Sequence, residues 1–205
     1  LQREGSPLMS NSTRTLVTIA TYNEVDNLPR LVEAVLRTLP EADVLVVDDN
    51  SPDGTGRWCD ERAAAETRLR CLHRPGKLGL GTAMVAAMRY GIEHDYRYLL
   101  NMDADFSHHP RYLPDLIAGM DPGAGPTIDV MIGSRYVRGG GVEGWPLHRR
   151  LMSRAVNLFA RVLLGIRARD CSGSFRCYRV ATLAKVDLGA IRSRGYSFYE
   201  EILYR

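Results

Sequence analysis

Five short apolar runs, each separated from the next by a stretch with helical or loop character, constrain this chain more than any other feature. They are Thr15–Thr21, Asp43–Val47, Leu69–His73, 97–102 and 127–133, and Val, Ile and Leu dominate them. Continuous runs of this kind suit strands covered on both faces. From about Asn27 to Leu39, by contrast, Leu28, Leu31, Val32, Val35, Leu36 and Leu39 recur at helical spacing. Pro29 falls in the first turn, where a missing N–H is tolerated. Further helices are expected after Thr55, from about Ala83 to Ile92, and from Pro110 to about Met120. Strand–helix alternation through residue 133 predicts an α/β domain, a mainly parallel sheet flanked by helices. Ligands bind such sheets beyond the carboxyl ends of the strands. The residues just after each run are therefore the ones to read for chemistry.

Four of those ends carry polar groups: Tyr22 and Glu24, Asp48 and Asp49, Asp103 and Asp105, Ser134 and Arg135. In Tyr98-Leu-Leu-Asn-Met-Asp103-Ala-Asp105 the apolar run delivers two carboxylates spaced Asp-x-Asp. Strand residues i and i+2 point the same way, and two carboxylates side by side repel unless a cation lies between them. Hard oxygen ligands suit Mg²⁺ or Mn²⁺, commonly together with substrate phosphates. Ser51, Asp53 and Thr55 offer helix caps, and a cap is the reading for Asp53. Gly76-Lys77-Leu-Gly-Leu-Gly81 can approach a ligand closely, but its spacing is neither a Walker A loop nor Gly-x-Gly-x-x-Gly. His108 and His109 precede Pro110 and are read as loop or helix-start residues rather than metal ligands.

A single domain accommodates 205 residues. The net charge of +3 is too small to argue for nucleic acid. No apolar run reaches the ~18 residues of a membrane span, and the N-terminus has no signal-peptide core. Residues 1–13 are polar and unpatterned and read as a disordered tail. Cys59, Cys71, Cys171 and Cys177 show neither Cys-x-x-Cys nor zinc-ribbon spacing, so reduced structural thiols in a cytosolic chain are expected. A helix is predicted from Leu147 to Gly165. At ~100° per residue, Arg149, Arg150, Arg154 and Arg161 fall in one ~140° sector. The apolar side, Leu151 to Leu163, is expected to pack on the core. The other reading of this helix is a basic surface facing anionic lipid headgroups.

Taken in order, Ala-Thr-Tyr-Asn-Glu24, Val47-Asp-Asp49-x-Ser-Pro-Asp-Gly-Thr55, Lys77-x-Gly-Leu-Gly-Thr-Ala83, Met-Asp-Ala-Asp105-Phe-Ser-His-His-Pro110, Gly133-Ser-Arg-Tyr-Val137 and Ser172-Gly-Ser-Phe-Arg176 form a specific set. With it the chain resembles a family 2 glycosyltransferase of the polyprenol-phosphate (dolichol-phosphate) mannosyltransferase group, over roughly residues 15–203. The resemblance implies a GT-A (Rossmann-like) fold in one domain over 14–205, its C-terminal end incomplete. It implies transfer of mannose, with inversion, from GDP-mannose to a polyprenyl phosphate, with Mg²⁺ or Mn²⁺ as cofactor. Ala20, Tyr22, Glu24, Val47 and Asp49 would then line the nucleoside pocket and Lys77 would lie near the nucleotide. Asp103, Ala104 and Asp105 would hold the ribose–diphosphate side and the metal, with Ser107 where some relatives place a further ligand. Arg135 would meet the donor or the acceptor phosphate, and Asp105 and Arg135 would carry the catalysis.

Two departures stand out: Ala20 replaces the usual Pro, and Tyr199 stands where relatives often carry Gln, ahead of the acidic position matched by Glu201. The basic C-terminal segment of the group has no counterpart here. A peripheral position at the cytoplasmic face of a membrane is expected. The alternatives are a transferase of the same fold moving glucose or another sugar from a UDP donor, and a non-catalytic subunit that binds sugar nucleotides. A metal-dependent nucleotidyltransferase lacks a supporting fingerprint.

Overall fold

The apolar runs become the strands of one sheet. The computed structural model describes residues 14–123, 125–142 and 144–205; the predicted tail at 1–13 lies outside them. The strands are β1 (Thr15–Thr21), β2 (Asp43–Asp48), β3 (Leu69–His73), β4 (Tyr98–Asp103), β5 (Val130–Ile132) and β6 (Arg176–Arg179). They pair in the order β3-β2-β1-β4-β6-β5. β3, β2, β1 and β4 are mutually parallel. Val17, Ile19, Val44, Leu45, Val46, Leu99 and Leu100 are fully buried, as strands covered on both faces require.

Helices α1 (Leu28–Thr38), α2 (Thr55–Ala63), α3 (Leu80–Glu93) and α4 (Leu113–Ala118) occupy the connections. The predicted apolar face of α1 is buried through Leu28, Leu31, Val32, Val35 and Leu36 against one side of the sheet. Each such side chain contributes roughly 1.5–3 kcal/mol. α3 covers the other side with Ala83, Met84, Ala87 and Met88. The segment expected as a helix from Pro110 to Met120 is a 3-10 turn over Pro110–Tyr112 followed by α4. Short helices α6 (Val180–Leu183) and α7 (Phe198–Tyr204) close the chain.

Two expectations are corrected. The fifth run, expected as a strand over 127–133, is strand only over Val130–Ile132 (β5), at the sheet edge; β6 lies between it and β4, antiparallel to both. This places the 170–176 segment directly beside the tip of β4. The second correction concerns α5 (Leu147–Leu163). Its inward seam is Asn157 and Ala160, with Ser153 and Leu164 half-buried. Leu147, Leu151, Met152, Leu158, Phe159, Val162 and Leu163 are 56–72% exposed. The helix is amphipathic as predicted, but most of its apolar face points away from the core. Arg150, Arg154 and Arg161 lie exposed along the border of that face. A polar hinge holds the seam: Cys171 N–H donates to Asn157 Oδ1 at 2.5 Å, and Tyr136 Oη donates to Ser153 Oγ at 2.7 Å.

Candidate active site

The carboxyl ends of β1, β2 and β4 meet in one row. Ala20 is in register with Val47 on one side and with Asp103 on the other. The first turn beyond each of these strands also contains a non-glycine residue in the left-handed region: Asn23 (φ 62), Asn50 (φ 57) and Phe106 (φ 59). Such backbone is disfavoured for L-residues, least so for Asn. Here it reverses the chain immediately after each strand and leaves the strand tips open.

The β1 and β2 ends are tied by hydrogen bonds that divide the two adjacent aspartates. Asp48 is buried and structural. It accepts from Thr21 Oγ1 (3.0 Å), Ser51 Oγ (2.6 Å) and the Ser51 N–H (3.0 Å). Gly56 must lack a side chain here, because a Cβ would lie 2.9 Å from Asp48 Oδ2. Asp49 faces the other way. Its Oδ2 accepts the Leu78 N–H at 3.2 Å, and Arg74 Nε stands 3.2 Å from Oδ1. Asp49 Oδ1 and Arg74 Nη1 are buried without a hydrogen-bond partner among the described residues, so both have bonding capacity to spare. The cap expected at Asp53 is Gly54 instead, and Asp53 stands two residues before α2: Oδ1 accepts the Thr55 N–H, and Oδ2 accepts the Val25 N–H of the loop after β1. The same loop is pinned by Asn23 N–H to Ser51 Oγ and Glu24 N–H to Thr55 Oγ1. The Glu24 carboxylate accepts from Asn27 Nδ2 at the start of α1. Lys77 Nζ lies 4.1 Å over the Tyr22 ring, which brings the predicted lysine to the β1 end. The Gly-rich start of α3 is shaped by a close neighbour. The Gly81 N–H donates to Arg194 O at 2.8 Å, and a Cβ on Gly81 would meet Ser193 O at 2.2 Å.

Asp103 is the last residue of β4, and Asp105 lies in the turn beyond it. Strand alternation is therefore not what brings the two carboxylates together; the turn does, and both line one open cleft of 2220 Å³. Burial raises the Asp103 carboxyl above its ordinary value and the Asp105 charge adds to this, outweighing His108, Ser174 and Arg135. Burial pushes Asp105 upward too, but the Ser107 N–H (2.9 Å), the Ser107 hydroxyl and His108 outweigh it and hold it low. Asp103 Oδ2 accepts from Ser174 Oγ at 2.7 Å. Ala104 between them is buried in the core.

His108 was missed by sequence reasoning. Its ring stacks on Phe175 (centroids 4.9 Å, 7° between planes), and its Nδ1 stands 3.8 Å from Asp103 Oδ2. Burial lowers it below its ordinary value, against the pull of Asp103 and Asp105. His109 does what was expected of it: its Nδ1 accepts the Arg111 N–H at the 3-10 turn.

Arg135 is held by a residue the motif did not reveal. Its backbone N–H and Nε donate to Asp170 Oδ2 (2.9 and 2.8 Å), and Nη2 donates to Asp170 Oδ1 (2.5 Å) and Ser172 Oγ (2.9 Å). The Asp170 side chain is fully buried; burial raises its carboxyl, but Arg135 and the Gly173 N–H outweigh that and hold it low. Two guanidinium groups approach the Trp145 ring, Arg135 at 5.2 Å and Arg149 at 4.2 Å from its centroid. Beneath the site, Arg176 is fully buried and donates to the carbonyls of Gly173, Tyr199 and Cys171. Tyr199, at the departure noted above, is a core residue: its Oη accepts from Asn101 Nδ2 at 2.9 Å, below the β4 tip. Glu201 lines the cleft, but its carboxylate is engaged: it accepts the N–H groups of Arg192 and Ser193 and pairs with Arg205.

The predicted residues thus form two neighbouring groups. Asp103, Asp105, Ser107 and Arg135 line the large cleft, with Trp145, Arg149, Met152, Val156 and Phe159 on its far wall. Ala20, Tyr22, Val47, Asp49 and Lys77 gather at the β1–β2 ends, joined to the first group through the Ala20–Asp103 register. Glu24 lies beside the second group as a loop-pinning residue. The carboxylates of Asp103 and Asp105 and the Ser107 hydroxyl line the cleft together, with His108 Nδ1 3.8 Å from Asp103 Oδ2. Asp103 Oδ1 and Asp105 Oδ2 accept no hydrogen bond from the described residues. That donor set fits a hard divalent cation.

A mainly parallel sheet with a carboxylate pair at this edge is the architecture of a GT-A glycosyltransferase. The chain belongs to glycosyl transferase family 2, whose profile matches residues 16–187. It is 45% identical over 192 residues to the undecaprenyl-phosphate mannosyltransferase of Micrococcus luteus, covering 94% of this chain and 77% of that one. It is 45% identical over 193 residues to the polyprenol monophosphomannose synthase of Mycolicibacterium smegmatis, covering 94% and 71%. Among solved structures, glucosyl-3-phosphoglycerate synthase from Mycobacterium tuberculosis superposes with a TM-score of 0.65 at 19% identity, over 98% of this chain and 70% of that one. A mannosyltransferase from Pyrobaculum calidifontis, solved with GDP-Man and Mn²⁺, gives 0.55 at 15% identity; this match covers 90% of this chain and 50% of that one. These likenesses share the fold.

Proposed function

We propose that this chain transfers mannose from GDP-mannose to a polyprenyl phosphate at a membrane surface. One observation carries the reading: a single cleft joins a polar edge that carries Asp103, Asp105 and Arg135 to an apolar, arginine-bordered helix. An acceptor with an anionic head and a long apolar tail matches both walls, and a soluble sugar acceptor would leave α5 without a role. The names of the two 45%-identical relatives support the same acceptor class and the same sugar.

The nucleoside would lie over the Val47–Ala20–Asp103 row, with Asp49 and Arg74 offering their spare hydrogen-bonding atoms and Lys77 close to the phosphates. Asp103 and Asp105 would hold Mg²⁺ or Mn²⁺, with Ser107 as a further candidate ligand. Such a cation supplies charge neutralisation for a diphosphate leaving group. In the reaction a phosphate oxygen of the acceptor attacks the anomeric carbon. The bond from that carbon to the GDP oxygen breaks, and its electron pair leaves with GDP. Attack from the opposite face inverts the centre. The acceptor oxygen is already anionic at neutral pH, so no strong general base is needed. Arg135, oriented by Asp170, and Arg149, stacked on the same tryptophan, would bind the acceptor phosphate by charge-assisted hydrogen bonds. The Gly139–Gly141 turn lines the cleft, and its closure over the donor would exclude water.

The outward apolar face of α5 is the proposed membrane contact. Among the described residues no helix is long and apolar enough to cross a membrane, so attachment through these residues is peripheral. A donor panel tests the nucleotide side. In the presence of Mg²⁺, GDP-mannose should raise the melting temperature more than UDP-glucose, and the gain should vanish with chelator. A larger shift with UDP-glucose would favour the alternative donor. Donor binding without turnover, with polyprenyl phosphate supplied, would favour a non-catalytic subunit.

A further inference from the structure

Away from the cleft, edge strand β3 and helix α2 bring three metal-binding side chains together. Cys71 and His73 stand two residues apart on the strand and so project from one face. Asp60, on α2, meets them. One donor atom from each, a carboxylate oxygen, a sulfur and a ring nitrogen, lies within 4.8 Å of the other two. The His73 ring is fixed between its partners: Nε2 is 2.8 Å from Asp60 Oδ1, and Nδ1 is 4.0 Å from Cys71 Sγ. The His73 and Asp60 side chains are 49% and 59% exposed, so an ion from solvent can reach them.

The chemistry of this set differs from that of the cleft. Thiolate and imidazole favour Zn²⁺ over Mg²⁺ or Mn²⁺, whereas Asp103 and Asp105 offer only hard oxygens. Without metal, His73 and Asp60 form an exposed hydrogen-bonded pair. A cation would take the place of the proton they share.

We propose that Asp60, Cys71 and His73 form a second cation site that takes Zn²⁺, with solvent in the remaining position. The ion would clamp α2 to the edge strand one residue before Arg74, the partner of Asp49. The site shares no residue with the cleft.

Co²⁺ is the probe, because a thiolate ligand gives it a charge-transfer absorption that oxygen ligands do not. The full chain, stripped with chelator, should develop this band to saturation at one ion per chain, and Zn²⁺ should displace it. Cys71→Ser should abolish the band. Asp60→Asn and His73→Gln should weaken binding on the order of tenfold or more. Asp103→Asn/Asp105→Asn should leave the band unchanged. Zn²⁺ should raise the melting temperature of the wild type but not of Cys71→Ser, whose metal-free melt reports whether it folds. Absence of a thiolate band in the wild type would overturn the proposal. So would a band that survives Cys71→Ser, or one that Cys59→Ser removes while Cys71→Ser does not.

Discussion

Asp170 holds Arg135 in a two-pronged grip, with Nε at 2.8 Å and Nη2 at 2.5 Å from its two carboxylate oxygens. The carboxylate is fully buried, and the arginine keeps part of its surface in the cleft. The pair therefore serves stability and orientation together.

Removing Asp170 strands a partly buried guanidinium, at a cost below the ~3–5 kcal/mol of a fully buried pair. Asp170→Ala should show that loss in urea unfolding. Arg135→Lys should fold but lose transfer, because a lysine cannot reproduce the planar fork. Near-normal turnover of Arg135→Lys would remove the guanidinium from the reaction.

Asp48 and Asp49 are adjacent in sequence and opposite in role. Asp48→Ala would orphan the Thr21 and Ser51 groups that now donate to it. Each orphaned buried group costs about 1–3 kcal/mol. A fall in the unfolding midpoint without a change in m-value is expected. Unchanged stability would contradict the structural assignment of Asp48.

Glu201 links pH to the seat of α3. Burial opposes its charge, yet the Ser193 hydroxyl and amide, Arg205 and the Arg192 amide outweigh it and take the carboxyl from 4.5 down to about 2. The sign follows from linkage: a lowered carboxyl adds stability above its unfolded value, and the contribution is lost as pH falls through the window from 4.5 to about 2. Melting curves of wild type and Glu201→Gln should be furthest apart near neutrality and converge through that window. A separation that does not change with pH would rule out the ionic role.

The exposed face of α5 predicts binding to vesicles. Leu158→Ser/Val162→Ser should cut sedimentation with anionic vesicles while shifting stability by less than about 0.5 kcal/mol, as exposed positions allow. Arg150→Ala, Arg154→Ala and Arg161→Ala should weaken the salt-sensitive part by about 1 kcal/mol each. Vesicle binding unaffected by both sets would leave α5 without its proposed role.

Much of the sheet was legible because a strand buried on both faces must be continuously apolar, as β1, β2 and β4 are. The polar ends of those strands were legible for the same reason, since each interrupts an apolar run. Less was legible where partners come from distant parts of the chain. Nothing local in Val130–Ile132 says that β6 will enter before it, and so nothing pointed to Asp170 as the partner of Arg135. The helical period of α5 gave its apolar face correctly but not its direction, which Asn157 and Ala160 decide. His108 looked like a turn residue because its environment depends on Phe175. Tyr199 and Arg176 could be placed only once Asn101 and three backbone carbonyls were seen around them. Cys71-x-His73 carries a strand's two-residue spacing rather than a zinc-ribbon one, so a search for paired cysteines passes over it.

The central claim is that Asp105, in the turn after β4, supports transfer of mannose to a lipid phosphate. Its most direct test offers radiolabelled GDP-mannose and polyprenyl phosphate to the wild type and to Asp105→Asn, with saturating Mg²⁺ or Mn²⁺, and counts label in the organic phase. The account predicts chelator-sensitive label in the wild type and a loss of several orders of magnitude in the variant. Near-normal label with Asp105→Asn would contradict it.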